Sequence, residues 1–216
     1  MPHKINFITQ GIVDIRPVIN DSHLVMSTYA LSVTDIINLC GGIPNKDIRE
    51  LEIEISSKSR GVLDVRINTN LYQTSRVIDF ELRIINNSFM HVLQGKRGIG
   101  TILFCNQVRT ARLFGFRVIY TTAMGPEAGA DWKGYYCWGR LGYEMDKDDH
   151  ETFLQLLRDF GRSSRNLHSL LETEDGKSFW LAYGFTWSAE FHLHDTSKNI
   201  AYLRKYLAEI GKDIEI

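Results

Sequence analysis

The sequence predicts an α/β (α+β) chain, with a mixed, mostly antiparallel central sheet flanked by helices. Three observations carry this expectation. Apolar and polar residues alternate along residues 51–56, 63–68 and 78–84, the period-two signature of half-buried strands. A glycine-bearing turn at residues 95–100 leads into apolar residues at helical spacing, Ile99, Leu103, Val108 and Ala111. Beyond residue 150 the helical spacing returns, at Phe153, Leu156, Leu157 and Phe160. Several strands gathered ahead of one strand-turn-helix unit differ from the regular βαβ alternation of a dinucleotide-binding domain.

In chain order, residues 12–18 read as a first strand, and residues 31–40 as a short helix stopped by Gly41-Gly42. Leu51, Ile53 and Ile55 then alternate with Glu52, Glu54 and Ser56, and Leu63, Val65 and Ile67 with Asp64, Arg66 and Asn68, with residues 57–61 as the turn. Ile78, Phe80, Leu82 and Ile84 continue the alternation against Asp79, Glu81 and Arg83. Asn86-Asn87-Ser88 is expected to turn the chain into a strand over 89–93. The helix that follows is expected to stop at Gly115, where a left-handed residue commonly ends a helix, before a strand over 117–120.

Composition bounds the function. At 216 residues and 44% hydrophobic content the chain is expected to form a single domain over 1–216 with a substantial core. A net charge of −1 argues against bulk attraction to nucleic acid or to anionic membrane. No apolar run reaches membrane-spanning length and none follows the N-terminus as a signal core, so a soluble, cytoplasmic protein is expected. Cys40, Cys105 and Cys137 are scattered and read as reduced thiols. His192 and His194 share a strand face, but without a third convergent ligand no metal site is read from them.

The chemistry concentrates at Gln94-Gly95-Lys96-Arg97-Gly98-Ile99-Gly100-Thr101. A glycine turn opening a helix presents unpaired N–H groups at the positive end of the helix dipole, a place for phosphate, and Lys96 and Arg97 add two cations. A Walker loop is excluded because Gly100 is followed by Thr101-Ile102, and a dinucleotide fingerprint because Leu103 stands where its third small residue is needed.

The loop resembles the pyrophosphate loop of the GCN5-related N-acetyltransferase family, Arg/Gln-x-x-Gly-x-Gly/Ala, in which Gly98 and Gly100 match the last two fixed positions. The order of elements around it, strand, helix, antiparallel strands, loop, helix and strand, is also that family's. The resemblance implies an acyl-coenzyme A-dependent N-acyltransferase fold and acetyl transfer to a small-molecule or peptide amine. Coenzyme A or acetyl-coenzyme A would be held by Val92, Leu93, Gly95, Lys96, Arg97, Gly98, Ile99, Gly100 and Thr101. Leu141-Gly142-Tyr143 is similar to the family's Tyr-x-x-x-Gly-Phe ending, but Trp138 stands where its proton-donating tyrosine belongs. An indole is no proton-transferring acid near neutral pH, so Tyr135 and Tyr143 are the candidate acids, and Glu81 and His91 the candidate bases.

The last third departs from the resemblance. A helical segment over 148–186 is expected as an insertion between the final two strands, with Asp175-Gly176-Lys177 as a turn. Trp180 or Trp187, in its aromatic end, is expected beside the acceptor. A strand over 189–195 and a helix capped by Thr196 or Ser197 close the chain. The alternative to an enzyme is a module of the same fold without turnover, holding coenzyme A or a protein partner. A homodimer is left open.

Overall fold

The computed structural model describes residues 18–20, 22–42, 48, 51–93, 98–126 and 133–216. They form an α+β structure with mostly antiparallel strands. The chain divides into two compact units, residues 1–117 with 214–216, and residues 118–213.

The first unit opens with β1 (Val18–Asn20), α1 (His23–Thr28) and α2 (Val33–Leu39). Of the strand expected over 12–18, all but Val18 lies outside the described residues. Ser32 caps α2 in a reciprocal box with Asp35, its hydroxyl accepting from Asp35 N and its own N–H donating to the Asp35 carboxylate at 2.8 Å. Gly41 ends the helix at φ 86°. A side chain there would overlap the Leu103 carbonyl, so this glycine is required both by its backbone and by the close approach.

An antiparallel meander follows, of β2 (Leu51–Ser59), β3 (Val62–Thr69), β4 (Tyr72–Asp79) and β5 (Ile84–Val92), with β1 added in parallel to β2. The alternation in β2 and β3 sorts their faces. Ile53, Ile55, Leu63, Val65 and Ile67 are buried, and Glu52, Glu54, Arg66 and Asn68 are exposed. β5 then leads toward α3 (Ile99–Leu113), which buries Ile99, Leu103, Val108 and Ala111 as its spacing requires. Gly115 at φ 72° stops it.

One turn is misplaced by the sequence. The alternation over 78–84 is interrupted, because residues 80–83 form the turn between β4 and β5 while Asn86, Asn87 and Ser88 lie inside β5. Asp79 organises that turn by accepting the Leu82 N–H at 2.7 Å, and Arg83 adopts φ 57°. Phe80 remains buried, stacked on Tyr29 and edge-on to Phe116. The apolar spacing thus runs on into a tight turn in which Phe80 is buried as an anchor and Leu82 is exposed.

The second unit contains β6 (Val118–Ala123), α4 (Gly134–Arg140), β7 (Glu144–Met145), α5 (Lys147–Asp159), α6 (Leu167–Leu171), α7 (Glu174–Tyr183), β8 (Trp187–His192) and α8 (Lys198–Glu209). β8 lies between β6 and β7, antiparallel to both. Three helices, α5 to α7, fill the chain between β7 and β8. Asp146, Asn166, Thr173 and Ser197 cap α5, α6, α7 and α8 through their side-chain oxygens. Asp175-Gly176-Lys177 is therefore not a turn but the start of α7. Gly176 is small because a side chain there would overlap the Leu170 carbonyl. The closing strand begins two residues before the expected 189 and ends at His192.

His168 of α6 is buried with its ring stacked on Tyr202 of α8 at 3.7 Å, and its Nε2 makes no hydrogen bond. Burial pushes the imidazole from 6.5 down to about 4, against the smaller upward pull of the Tyr143 backbone and the Glu172 carboxylate. The unfolded chain therefore takes up the proton first as pH falls. The stabilisation is whole above pH 6.5 and is lost as pH falls to about 4, a loss of about 3 kcal/mol. Urea unfolding from pH 7.5 to 3.5 should show wild type losing that much more stability than His168→Phe, and equal losses would contradict the assignment.

Candidate functional site in the first unit

The candidate site is the passage from β5 into α3. Gly98 is the N-cap of α3 in the left-handed conformation, φ 68° and ψ 15°, and among the described residues no side chain caps the helix. Within the helix the Ile102 N–H bonds back to Gly98 O at 3.1 Å. The amides ahead of it have no carbonyl of their own helix to meet. A side chain at Gly98 would meet no described atom within 4 Å. The backbone there is accessible, and the first turn of a 15-residue helix offers donors and the positive end of a dipole.

Gly100 faces the strand. A Cβ on it would stand 3.6 Å from both Met90 Cε and Val92 Cγ2, so helix start and strand end lie in direct contact. Ile99 is buried, Thr101 and Val92 are half-buried, and Leu93 is exposed with its N–H on Leu71 O at 2.8 Å. Gly95, Lys96 and Arg97 lie outside the described residues.

β5 carries a bulge beside this passage. Ser75 pairs with Phe89 and Arg76 with Asn87, so the register skips Ser88. The extra residue turns Asn87 onto the face shared by Met90 and Val92. Strict alternation would put Asn87 with Phe89 and His91. The buried Arg76 guanidinium donates from Nη1 to Ser75 O at 2.9 Å and to Phe89 O, gripping the carbonyls that flank the bulge.

The candidate bases are separated by the strand. His91 stands opposite Gln73 in register, exposed, with its ring edge-on to Phe89 at 6.2 Å. Its neighbours Met90 and Val92 face α3, so His91 points to the other face of the sheet. Glu81 occupies the turn after β4, where its Oε1 lies 3.8 Å from Arg60 Nε. Nine residues of β5, about 26 Å of extended chain, separate that turn from the glycine passage. The structure does not bring Glu81 to the site.

The candidate acids belong to the second unit and to its core. Tyr135 is 3% exposed, and its phenol donates to Leu181 O at 2.8 Å. Its carbonyl accepts both indole N–H groups, from Trp180 and from Trp187, each at 3.1 Å. Trp180 and Trp187 are correspondingly buried in the core of the second unit. Tyr143 is 0% exposed, with its ring between Trp138 and Phe191 at 5.1 and 5.3 Å. These aromatics fix α4 against α7 and β8.

Sequence reasoning missed the polar residues beneath the sheet of the first unit. Asn87 and Gln107 exchange two hydrogen bonds of 2.9 Å, and Gln107 also donates to Leu39 O at 3.0 Å. Asn106 donates to Gly42 O. The available signal was a glutamine between Leu103 and Ala111, four residues from each, within the apolar stripe of α3. Cys40 and Cys105 lie in the same buried region, and burial pushes both thiols up to about 12, so they stay protonated. Among the described residues no group of three or more His, Cys, Asp or Glu side chains converges on a metal position, and no helix is long and apolar enough to cross a membrane. No family model matches the chain, and no curated protein matches it.

If Tyr135 is a structural pivot, Tyr135→Phe should cost about 1 kcal/mol of stability, the net worth of one hydrogen bond. Gly184→Ala should cost more, about 1–3 kcal/mol, because the new methyl would overlap the Tyr135 ring and stand 2.6 Å from Trp180 O. Chemical denaturation of both variants checks the order, and a neutral Gly184→Ala would show that α7 does not close on Tyr135.

Proposed function

We propose that this chain is an acyl-coenzyme A-dependent N-acyltransferase resembling the GCN5-related family, moving an acetyl group from acetyl-coenzyme A to an amine. One observation carries the reading. β5 runs against a helix start whose N-cap is a left-handed glycine, with no described side chain capping it and no described atom within 4 Å of where its Cβ would stand. That arrangement suits a pyrophosphate on the helix amides with the rest of the cofactor extended along the strand. The meander ahead of the passage and β6 behind it follow the family's order of elements.

Acetyl-coenzyme A supplies an activated thioester. Amine attack forms the N–C bond and breaks the C–S bond, with one proton leaving nitrogen and one reaching the thiolate. Backbone donors near the bulge would polarise the carbonyl as a preorganised oxyanion site does. His91 is the base this reading keeps, as the one candidate on the strand that meets the helix start, with the amine approaching from the sheet face opposite α3. The acceptor is a small-molecule or peptide amine.

A second reading, a coenzyme A-holding module without turnover, is favoured by the phenol of Tyr135 being bonded to Leu181 O and by Trp138 standing in the family's tyrosine position.

Coenzyme A should raise the thermal midpoint in proportion to the logarithm of its concentration, as any ligand of the folded state does. Gly98→Val places a β-branched residue at φ 68° and should weaken calorimetric binding at least tenfold, whereas wild-type-like affinity would remove the helix start from the site. Thiol release with a panel of amines separates the two readings. Under the enzyme reading His91→Gln should lower turnover on the order of 100-fold, with Tyr135→Phe close to wild type. Binding without thiol release would establish the module.

A further inference from the structure

We infer that Asn87 and Gln107 form a positioning pair that sets the register of α3 against the bulge of β5, and through it the place of the helix start. Its consequence for binding rests on the acyl-coenzyme A reading, but the register itself does not.

The apolar face of α3 does not define a register by itself. Ile99, Leu103, Val108 and Ala111 bury surface in a way that is non-directional and roughly proportional to area. A slide of about 1.5 Å along the axis, the rise of one residue, with no rotation keeps the same stripe on the sheet and changes the buried area little. Amides are directional. Gln107 is 1% exposed and Asn87 2%, and each gives and takes one hydrogen bond of 2.9 Å with the other. The second Gln107 proton reaches Leu39 O at the end of α2, and Asn106 bonds Gly42 O one residue earlier on the helix. Any other register leaves these buried donors and acceptors unbonded, which is the costly condition.

The pair also depends on the bulge. Asn87 faces α3 only because Ser88 is inserted, and Arg76 holds the carbonyls of Ser75 and Phe89 on either side. Bulge and helix therefore hold each other in place. Gln107 fixes the middle of α3, and Gly100 then rests on Met90 and Val92. The free amides at the start of α3 keep one offset from the backbone that follows the bulge. A ligand that bonds both at once requires that offset, since misplacement of about 1 Å is enough to degrade a preorganised site.

Replacing both amides by apolar side chains of similar size, Asn87→Leu with Gln107→Met, removes the directional bonds of the pair without leaving one amide unbonded against the other, at the cost of the donor to Leu39 O. Backbone amide NMR spectra of the unliganded protein should show the wild type with one signal each for Ser88, Ile99, Gly100 and Thr101. The double variant should show shifted, broadened or multiple signals at these four while the β2–β3 amides stay unchanged. Coenzyme A affinity should fall at least tenfold. The exchange Asn87→Gln with Gln107→Asn keeps the chemistry and summed length of the pair, and should recover single signals and most of the affinity. Single, wild-type signals at the four residues in the apolar variant would overturn the inference, as would an exchange variant that folds yet leaves them multiple. Should the apolar variant not fold, the exchange variant and Gln107→Met decide by the same signals. A wild type that does not bind coenzyme A defeats the acyltransferase reading alone, since the unliganded spectra still decide the register.

Discussion

A buried polar group is costly to leave unbonded, and in each unit of this chain the bonds that meet that cost fix a helix. In the first unit the amides of Gln107 and Asn106 tie α3 to β5 and to the end of α2, where Gly41 lets the two backbones meet. In the second, the Tyr135 carbonyl receives two indole N–H groups and its phenol reaches Leu181 O, so α4 is joined to α7 and β8. Apolar burial drives both contacts, but it is the directional bonds that choose one arrangement from several of similar area.

The consequence for function is a division of roles among residues of one chemical type. Tyr135, Tyr143, Trp180 and Trp187 belong to the core of the second unit, where the Tyr135 phenol and both indoles bond carbonyls. The passage from β5 to α3 is different in kind. Among the described residues none caps or covers its backbone at Gly98, although glycine there is conformationally costly to order. A helix start without a capping side chain forgoes stabilisation, and the anion-binding reading explains why it would be left open.

Three features were hidden from the sequence for identifiable reasons. The turn over 80–83 was concealed because Phe80 keeps an apolar anchor in step with the alternation on either side. Asn86-Asn87-Ser88 has the composition of a turn, yet it lies within β5 because Asn87 finds a buried partner 20 residues ahead. Gly176 resembles a turn glycine but sits in the first turn of α7, where the Leu170 carbonyl leaves no room for a side chain. For Asn87 a contact distant in sequence overrode a local preference.

The sequence by itself determined whatever depends on near neighbours. These features include the period-two faces of β2 and β3, the apolar stripe of α3, the hydroxyl cap of α8 at Thr196 or Ser197, the stop at Gly115 and the glycine that opens α3. Backbone sterics and local hydrogen bonds act within about one helical turn, so residue order is enough to reveal them. Only the tertiary structure decided which aromatics belong to the core, that Glu81 lies at the far end of β5, and that a bulge turns Asn87 toward Gln107. Those outcomes depend on pairing between residues far apart in the chain. A one-residue bulge exchanges the faces of a strand, and no local pattern in this sequence records where the extra residue falls.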